Sequence, residues 1–464
     1  MPVEGRDLSS EPTLKVAKDR RLGNLATPSS VQKLQKALHA KAKEEPGFRF
    51  YALYDKIYRM DVLRHAYACC RANKGAPGVD GLTFDDVEAY GRERWLGELA
   101  QELREGTYRP DAVRRVYIPK PNGKLRPLGI PRLAERVCQT AAMLVLEPIF
   151  EADLPPEQHS YRQDRNAQSA VREVHGLLVR GYRDVVDADL SGYFDTIPHR
   201  ELMKSVVRRV IDRRMLHLVR MWLNAPVEEC DERGRKKRTT TNRDSGKGIP
   251  QGSPISPLLS NLYMRRFILG WKKAGLERKL GARIVNYADD LVICCKGDAA
   301  VAALDAMRQM MTRLRLTVNE EKTRTCRLPD DKFDFLGYTF GRCYSPKTGR
   351  PYIGTRPSKK SIKRMIETVH VQTGRNTTWL NAEDMVTILN RKLGGWANYF
   401  CLGPVTSAYR FIDRYTTTRL RQWLCKKHKQ RGGGMKRYPD EYIYKHLGLI
   451  RLPMLPQSLP WAKA

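Results

Sequence analysis

No uninterrupted apolar run in this chain of 464 residues approaches the roughly 18 needed to span a bilayer. The first twenty residues, Met1 to Arg20, are polar and hold no signal-peptide core. The expectation is a cytoplasmic, nucleoid-associated protein with no membrane partner. Cysteine is present but unorganised. The ten cysteines fall as two adjacent pairs, Cys69-Cys70 and Cys294-Cys295, and as scattered singles, without the repeated CxxC or CxxC…HxxxH spacing of a zinc module. They read as reduced, buried thiols. There is also no internal repeat and no long low-complexity tract.

Acid is scarce. Lys and Arg number 84 against 51 Asp and Glu, a net charge of +33 and a pI near 9.9. That imbalance excludes most metabolic enzymes, because self-repulsion on this scale is tolerated mainly where a polyanion supplies the counter-charge. Nucleic acid is the leading partner. A hydrophobic fraction of 41% is near the globular average, so wholesale disorder is excluded, and the length suits roughly two to four domains. Residues 391–464 carry 15 Lys+Arg against three acids and are more basic than the chain as a whole.

Residues 1–48 mix Lys, Glu, Ser and Pro with few large apolar residues and read as a mobile basic leader, with room for a short helix over Val31 to Lys43. Tyr51 to Cys70 is helix-like and ends at the breakers Asn73-Lys-Gly-Ala-Pro-Gly78. Val116 to Pro119 and Leu128 to Ile130 flank Asn122-Gly123, a hairpin signal, in a segment bearing Lys120, Lys124, Arg126 and Arg132. Helices are expected at about 137–150 and 166–180. Val185 to Leu190 reads as a strand, as do the two halves of Ile284 to Cys295, and strands separated by helices imply a mixed α/β domain. Beyond about 355 helices take over. The clearest covers 382–400, with Met385, Ile388, Leu389, Leu393, Trp396 and Phe400 on one stripe and Asn381 with Asp384 resembling a capping box.

Tyr287-Ala-Asp-Asp290 interrupts two apolar strands, so both carboxylates fall in a tight turn. Asp189 ends another strand 100 residues before Asp289. Three carboxylates on neighbouring strand ends can hold two divalent cations about 3.5 to 4 Å apart, and Mg²⁺ suits such oxygen ligands. Asp187 points to the same face as Asp189, so pattern does not choose between them. Asp195 reads as a turn or helix-start residue. Between the acids, Gly248-Ile-Pro-Gln-Gly-Ser-Pro-Ile-Ser-Pro-Leu258 reads as a loop with Ser256 as N-cap and Pro257 opening a helix, its glycines allowing close backbone approach to a base pair or phosphate.

These residues carry a resemblance. Arg126-Pro-Leu-Gly-Ile-Pro131, Asp189-Leu-Ser-Gly-Tyr-Phe-Asp195, Gly248-Ile-Pro-Gln-Gly-Ser253, Tyr287-Ala-Asp-Asp290, Asn319-Glu-Glu-Lys-Thr-Arg324 and Phe335-Leu-Gly-Tyr338 form an ordered series similar to that of reverse transcriptases. Asn73 to Gly81 and Leu393-Gly-Gly-Trp-Ala-Asn-Tyr-Phe400 narrow the resemblance to the maturase–reverse transcriptases of bacterial group II introns. It spans about 51–430 and implies an α/β right-hand polymerase with a mixed sheet in fingers and palm. The expected division is the leader at 1–48, an N-terminal extension with a template-contacting loop at 49–110, fingers and palm at 111–350, the first part of an α-helical thumb (domain X) at 351–403, its last helix at 404–430, and a basic DNA-binding segment at 431–464.

By resemblance, Asp189, Asp289 and Asp290 bind two catalytic Mg²⁺ ions, for which Mn²⁺ could substitute. Arg126, with Lys120 beside it, would contact the incoming dNTP, Gln251 would line the nascent base pair, and Phe194 would crowd the sugar 2′-position. Tyr193 reads as core. Lys322 would act as general acid or phosphate clamp, or lie as a solvated lysine. Phe335 to Tyr338 would form a primer grip. Leu393, Trp396 and Phe400 read as thumb core, leaving Arg391, Lys392 and Asn398 to contact RNA. Arg233 to Arg243 reads as a mobile charged loop within reach of an RNA backbone. The implied function is RNA-directed DNA synthesis together with splicing assistance to a bound group II intron RNA, on a DNA target and primer. Relatives often append an HNH endonuclease with cysteine pairs, and no cysteine follows Cys425, so second-strand cleavage is not expected. Two alternatives remain: a splicing-only RNA-binding protein, and a domesticated polymerase in phage defence or CRISPR spacer acquisition.

Overall fold

A computed structural model describes residues 21–22, 25–119, 123, 125–231 and 233–457. Lys120, Lys124 and the hairpin tip at Asn122 lie outside them, as do residues 1–20 and 458–464. The helix anticipated over Val31 to Lys43 forms as Ser29–Glu44, and the leader departs from expectation only in that this helix is docked. It buries Val31, Gln35, Leu38 and Ala42, one stripe at helical spacing, against the helix Leu133–Glu151. Gln35 Nε2 donates to the Leu144 carbonyl at 3.0 Å. Four well-spaced residues are enough to dock it, which average composition concealed. The expected helix over 51–70 is divided into Tyr54–Ile57 and Met60–Ala72. The Asp212 carboxylate accepts from the Leu53 and Tyr54 N–H groups, each at 2.8 Å, and anchors the entry to the first piece.

The central sheet runs in the order Thr317–Val318, Asp184–Ser191, Asp290–Cys295, Ala282–Tyr287, with Arg324–Arg327 also on Asp184–Ser191. All its pairings are antiparallel. The parallel pairing of a mixed sheet falls elsewhere, between Val113–Pro119 and Val227–Cys230. Alternation splits the central strands between two cores. Val186, Ala188, Leu190 and Ile293 join the helix Ser256–Lys273, whereas Val185, Val292 and Cys294 join the helix Ala167–Val179. Burial on both faces explains why the strands read as nearly continuous apolar runs.

The sheet built on Val113–Pro119 and Leu125–Ile130 continues through Val227–Cys230 to Lys236–Thr239. The charged run 233–243 is therefore partly a strand and not a free loop. Glu228 and Asp231 supply the reason: Lys236 and Arg238 lie 3.3 and 2.8 Å from Glu228, and Arg235 lies 2.8 Å from Asp231.

A third sheet, Phe333–Phe335, Tyr338–Tyr344 and Pro351–Pro357, carries strand structure past residue 350. The helices Lys359–Gln372, Ala382–Tyr399 and Thr406–Lys427 then gather around Leu389, Leu393, Tyr409 and Trp423. Asn381 precedes the second of these without a side-chain cap hydrogen bond, so the expected capping box does not form. Ile443, Leu449 and Leu452 enter the same core, and Arg421 donates to the Tyr438 carbonyl at 2.8 Å, so packing runs on across residue 430. Among the described residues no helix is long and apolar enough to cross a membrane.

Candidate active site at the Asp189–Asp290 strand pair

The antiparallel register sets Asp189 directly opposite Asp290. Asp289 precedes Asp290 in the two-residue turn that closes the hairpin between Ala282–Tyr287 and Asp290–Cys295. Such turns favour positive φ, and Ala288 adopts φ +56° without being a glycine. A left-handed alanine costs about 1–2 kcal/mol, so something must hold it. Ser160 Oγ accepts from the Ala288 N–H at 2.8 Å, and Asn286 Nδ2 donates to the Ala288 carbonyl at 2.9 Å. Ser160 is fixed in turn by Asn261, whose Nδ2 donates to its carbonyl at 2.8 Å and whose Oδ1 accepts from its hydroxyl at 3.3 Å. All three residues are buried. None was singled out from sequence, although an asparagine within the apolar runs around 286 and 261 is itself a signal of a buried polar contact.

Burial raises the Asp289 carboxyl above its ordinary range, with Asp189 adding to the effect and the Arg126 guanidinium opposing it. Burial, then the charge of Asp289, pushes Asp290 up to about 7. Asp189 accepts from Asn319 Nδ2 at 2.9 Å and from Lys322 Nζ at 3.0 Å. Lys322 is thus neither isolated nor simply solvated. Asp187 lies opposite Arg324 in register, 3.5 Å from its guanidinium, which distinguishes it from Asp189.

Among the described residues no three His, Cys, Asp or Glu side chains converge closely enough to grip an ion as they stand, and Asp189 is turned onto its nitrogen partners. The donor set nevertheless suits a hard divalent cation. It offers carboxylate oxygens only, and two of the three acids sit where burial disfavours their charge, a penalty that a cation relieves.

The loop before Ser256 meets the hairpin strands. Arg126 Nε donates to Gln251 Oε1 at 3.0 Å, Gln251 Nε2 donates to Asp195 at 3.3 Å, and the Gly129 N–H donates to the Gln251 carbonyl at 2.6 Å. Gly252, at φ +103°, permits this approach, since a Cβ there would stand 2.6 Å from the Gly129 carbonyl oxygen. Ser256 is the first helical residue and not the N-cap, and its hydroxyl donates back to the Pro250 carbonyl at 2.7 Å. Phe194 is buried edge-to-face on Tyr193, and its carbonyl accepts from the Ile249 N–H at 2.8 Å. Tyr193 is core, donating to the Ser260 carbonyl at 2.6 Å.

Phe335 and Tyr338 flank a turn at Leu336-Gly337, both at positive φ. The Tyr338 hydroxyl donates to the Tyr399 carbonyl, and the Tyr399 hydroxyl donates to the Leu336 carbonyl at 2.9 Å. Arg391, Lys392 and Asn398 are exposed on the helix Ala382–Tyr399, whereas Leu393 and Phe400 are buried and Trp396 half-buried.

Residues 118–340 match the family described as reverse transcriptase (RNA-dependent DNA polymerase), and residues 362–439 match the group II intron, maturase-specific domain. Protein YkfC of Escherichia coli is 33% identical over 370 residues, covering 71% of this chain and 93% of that protein. The group II intron-encoded protein LtrA of Lactococcus lactis is 32% identical over 227 residues, 48% of this chain and 36% of LtrA. Among solved structures, a chain of a partial Cas6-RT-Cas1--Cas2 complex shares 23% identity at a TM-score of 0.33, over 56% of this chain and 42% of that one, too slight a likeness to bear on function. The polymerase match contains the paired acids and the maturase match contains most of the helical region, so the chain belongs to the group II intron family of reverse transcriptases and maturases.

Proposed function

We propose that the chain extends a DNA primer on an RNA template at Asp189, Asp289 and Asp290, and that it binds group II intron RNA, assists its splicing and copies it during insertion into DNA. The observation that carries the catalytic reading is the register that sets Asp189 against Asp290 beside the Ser160-held turn. Two Mg²⁺ ions, when bound by these acids, would activate the primer 3′-hydroxyl and neutralise charge at the α-phosphate. The protein's own groups do the rest. Asn319 and Lys322 orient Asp189, while Arg126, fixed by Gln251, offers its remaining guanidinium nitrogens to the triphosphate. Gln251 backs the new base pair, Phe194 crowds the sugar 2′-carbon, and the sequence offers Lys120 as a further cation for the triphosphate.

In this reading the chain is a right-hand polymerase with fingers and palm at 111–350 and a thumb over 351–430. Residues 49–110 carry the template-contacting loop, and 431–464 bind DNA. Exposed Arg391, Lys392 and Asn398 contact intron RNA, supporting its fold without supplying splicing chemistry. The maturase-specific match supports this role over phage defence or spacer acquisition. Primer extension on an RNA template tests the proposal. The wild type should make cDNA and Asp289→Asn should make none while retaining RNA affinity; absence of cDNA from the wild type refutes the polymerase reading.

A further inference from the structure

A cavity of about 650 Å³ opens between the helices His199–Val207 and Arg213–Leu223. Its wall is cationic: Arg49, Arg200, Lys204, Arg208 and Arg220 line it, with no carboxylate among the lining residues described. The nearest acids are already shared. Glu201 lies 2.8 Å from Lys204 and 2.9 Å from Arg266, and Asp153 pairs with Arg208 and with the buried Arg209. Arg200 and Arg220 are exposed and make no ion pair among the described residues.

The floor is apolar, formed by Met203, Val207 and Leu223. His199 adds a flat ring at one side. Its Nε2–H donates to the Gly248 carbonyl at 2.7 Å, and burial lowers its pKa against the opposing effect of its Gly248 and Asn224 hydrogen bonds. Asp189, Asp289, Asp290, Arg126 and Gln251 all lie outside the lining, so the cavity is separate from the polymerase site.

We propose that this cavity is a second RNA site, which receives one unpaired nucleotide of a folded RNA. The proposal rests on the RNA-binding reading above and locates part of it. The base would lie on the Met203, Val207 and Leu223 floor against His199, and its flanking phosphates would meet Arg200 and Arg220. Size and chemistry select this occupant. The volume is that of a site for a whole small molecule and not of a single phosphate contact. Phosphates running along a paired helix would use the cations but leave the apolar floor empty, whereas bulges and loops offer splayed bases. A free nucleoside triphosphate is a poorer fit, because no carboxylate lines the cavity to hold its accompanying Mg²⁺.

The test uses the full chain and two labelled RNA hairpins, each closed by a polyethylene glycol linker so that no loop nucleotide is present, one fully paired and one with a single bulged nucleotide, each base in turn. Affinities are measured by fluorescence anisotropy for the wild type, for Arg200→Ala/Arg220→Ala, and for Lys204→Glu, which reverses one charge on the cavity wall. Both variants should weaken binding of at least one bulged hairpin by about tenfold or more, and that of the paired hairpin by less than about threefold. Primer extension on a preannealed RNA–DNA substrate should stay within about twofold of the wild type. Equal losses on both hairpins would make the surface a duplex-backbone track and overturn the proposal. So would unchanged affinity for every bulged hairpin, or extension falling in step with binding. A wild type that makes cDNA and binds RNA while the variants behave identically refutes the cavity alone; a wild type that binds neither hairpin refutes the RNA-binding reading beneath it.

Discussion

Replacing Ser160 by alanine removes the acceptor that holds the Tyr287–Asp290 turn, and its cost can be worked from the contacts. The Ala288 N–H is left unpaired in a buried site, which costs about 1–3 kcal/mol, and the Asn261 Oδ1 loses its donor. The left-handed alanine already stores about 1–2 kcal/mol that the hydrogen bonds offset. A net weakening of about 2 kcal/mol in the competent turn shifts its population by about 30-fold. Single-turnover primer extension should therefore slow by about 10- to 100-fold. Binding of RNA, proposed above to use exposed cations elsewhere, should not change. Ser160→Cys should recover part of the loss, because sulfur accepts only weakly. The assay is rapid-quench extension of a preannealed primer at saturating dNTP, with chemical denaturation run alongside to confirm folding. A folded Ser160→Ala protein extending within about twofold of the wild type would refute the claim that this hydrogen bond sets the position of Asp289 and Asp290.

Three further outcomes are expected. Phe194→Ala should raise ribonucleotide incorporation relative to deoxynucleotide by about 10- to 100-fold, read from competing extension, and unchanged selectivity would remove the ring as the steric gate. Asp290 ionises near 3.8 when unfolded and at about 7 when folded, so the unfolded state gives up this proton first and the metal-free protein loses stability as pH rises between those values. Asp290→Asn should flatten that loss in denaturation midpoints taken at pH 5 and pH 8 with chelator present; identical pH slopes in both proteins would contradict it. RNA affinity should fall steeply with salt, and a log–log slope shallower than about −2 would mean that fewer than three phosphates are contacted.

The carboxylate site was legible because each part of it is local. Tyr287 to Asp290 lies between apolar runs, and alternation alone places Asp187 and Asp189 on one face. What separates those two residues is Arg324, which arrives on a neighbouring strand long after both. Ser160 was illegible for the same reason, since its partner Ala288 lies 128 residues downstream. The errors nearer at hand came from treating local chemistry as self-sufficient. Ser256 looks like an N-cap beside Pro257, yet it is already the first helical residue, and its hydroxyl donates back to the Pro250 carbonyl. The leader looked too polar to dock, yet burial depends on where four residues fall and not on the average. The charged run at 233–243 looked mobile because its neutralising partners, Glu228 and Asp231, lie just before it, on and beyond the end of the strand Val227–Cys230.

The reciprocal bonds between Tyr338 and Tyr399 bear on how the chain can be divided. Each tyrosine donates to a carbonyl in the other's segment, so the Leu336-Gly337 turn and the end of the helix Ala382–Tyr399 form one mechanical joint. A chimera spliced near residue 351, where sequence character changes, would leave half of that joint in each parent. Grafts that exchange the helical region between relatives should instead carry residues 333–402 as one block, so that both tyrosines and both accepting carbonyls come from the same protein.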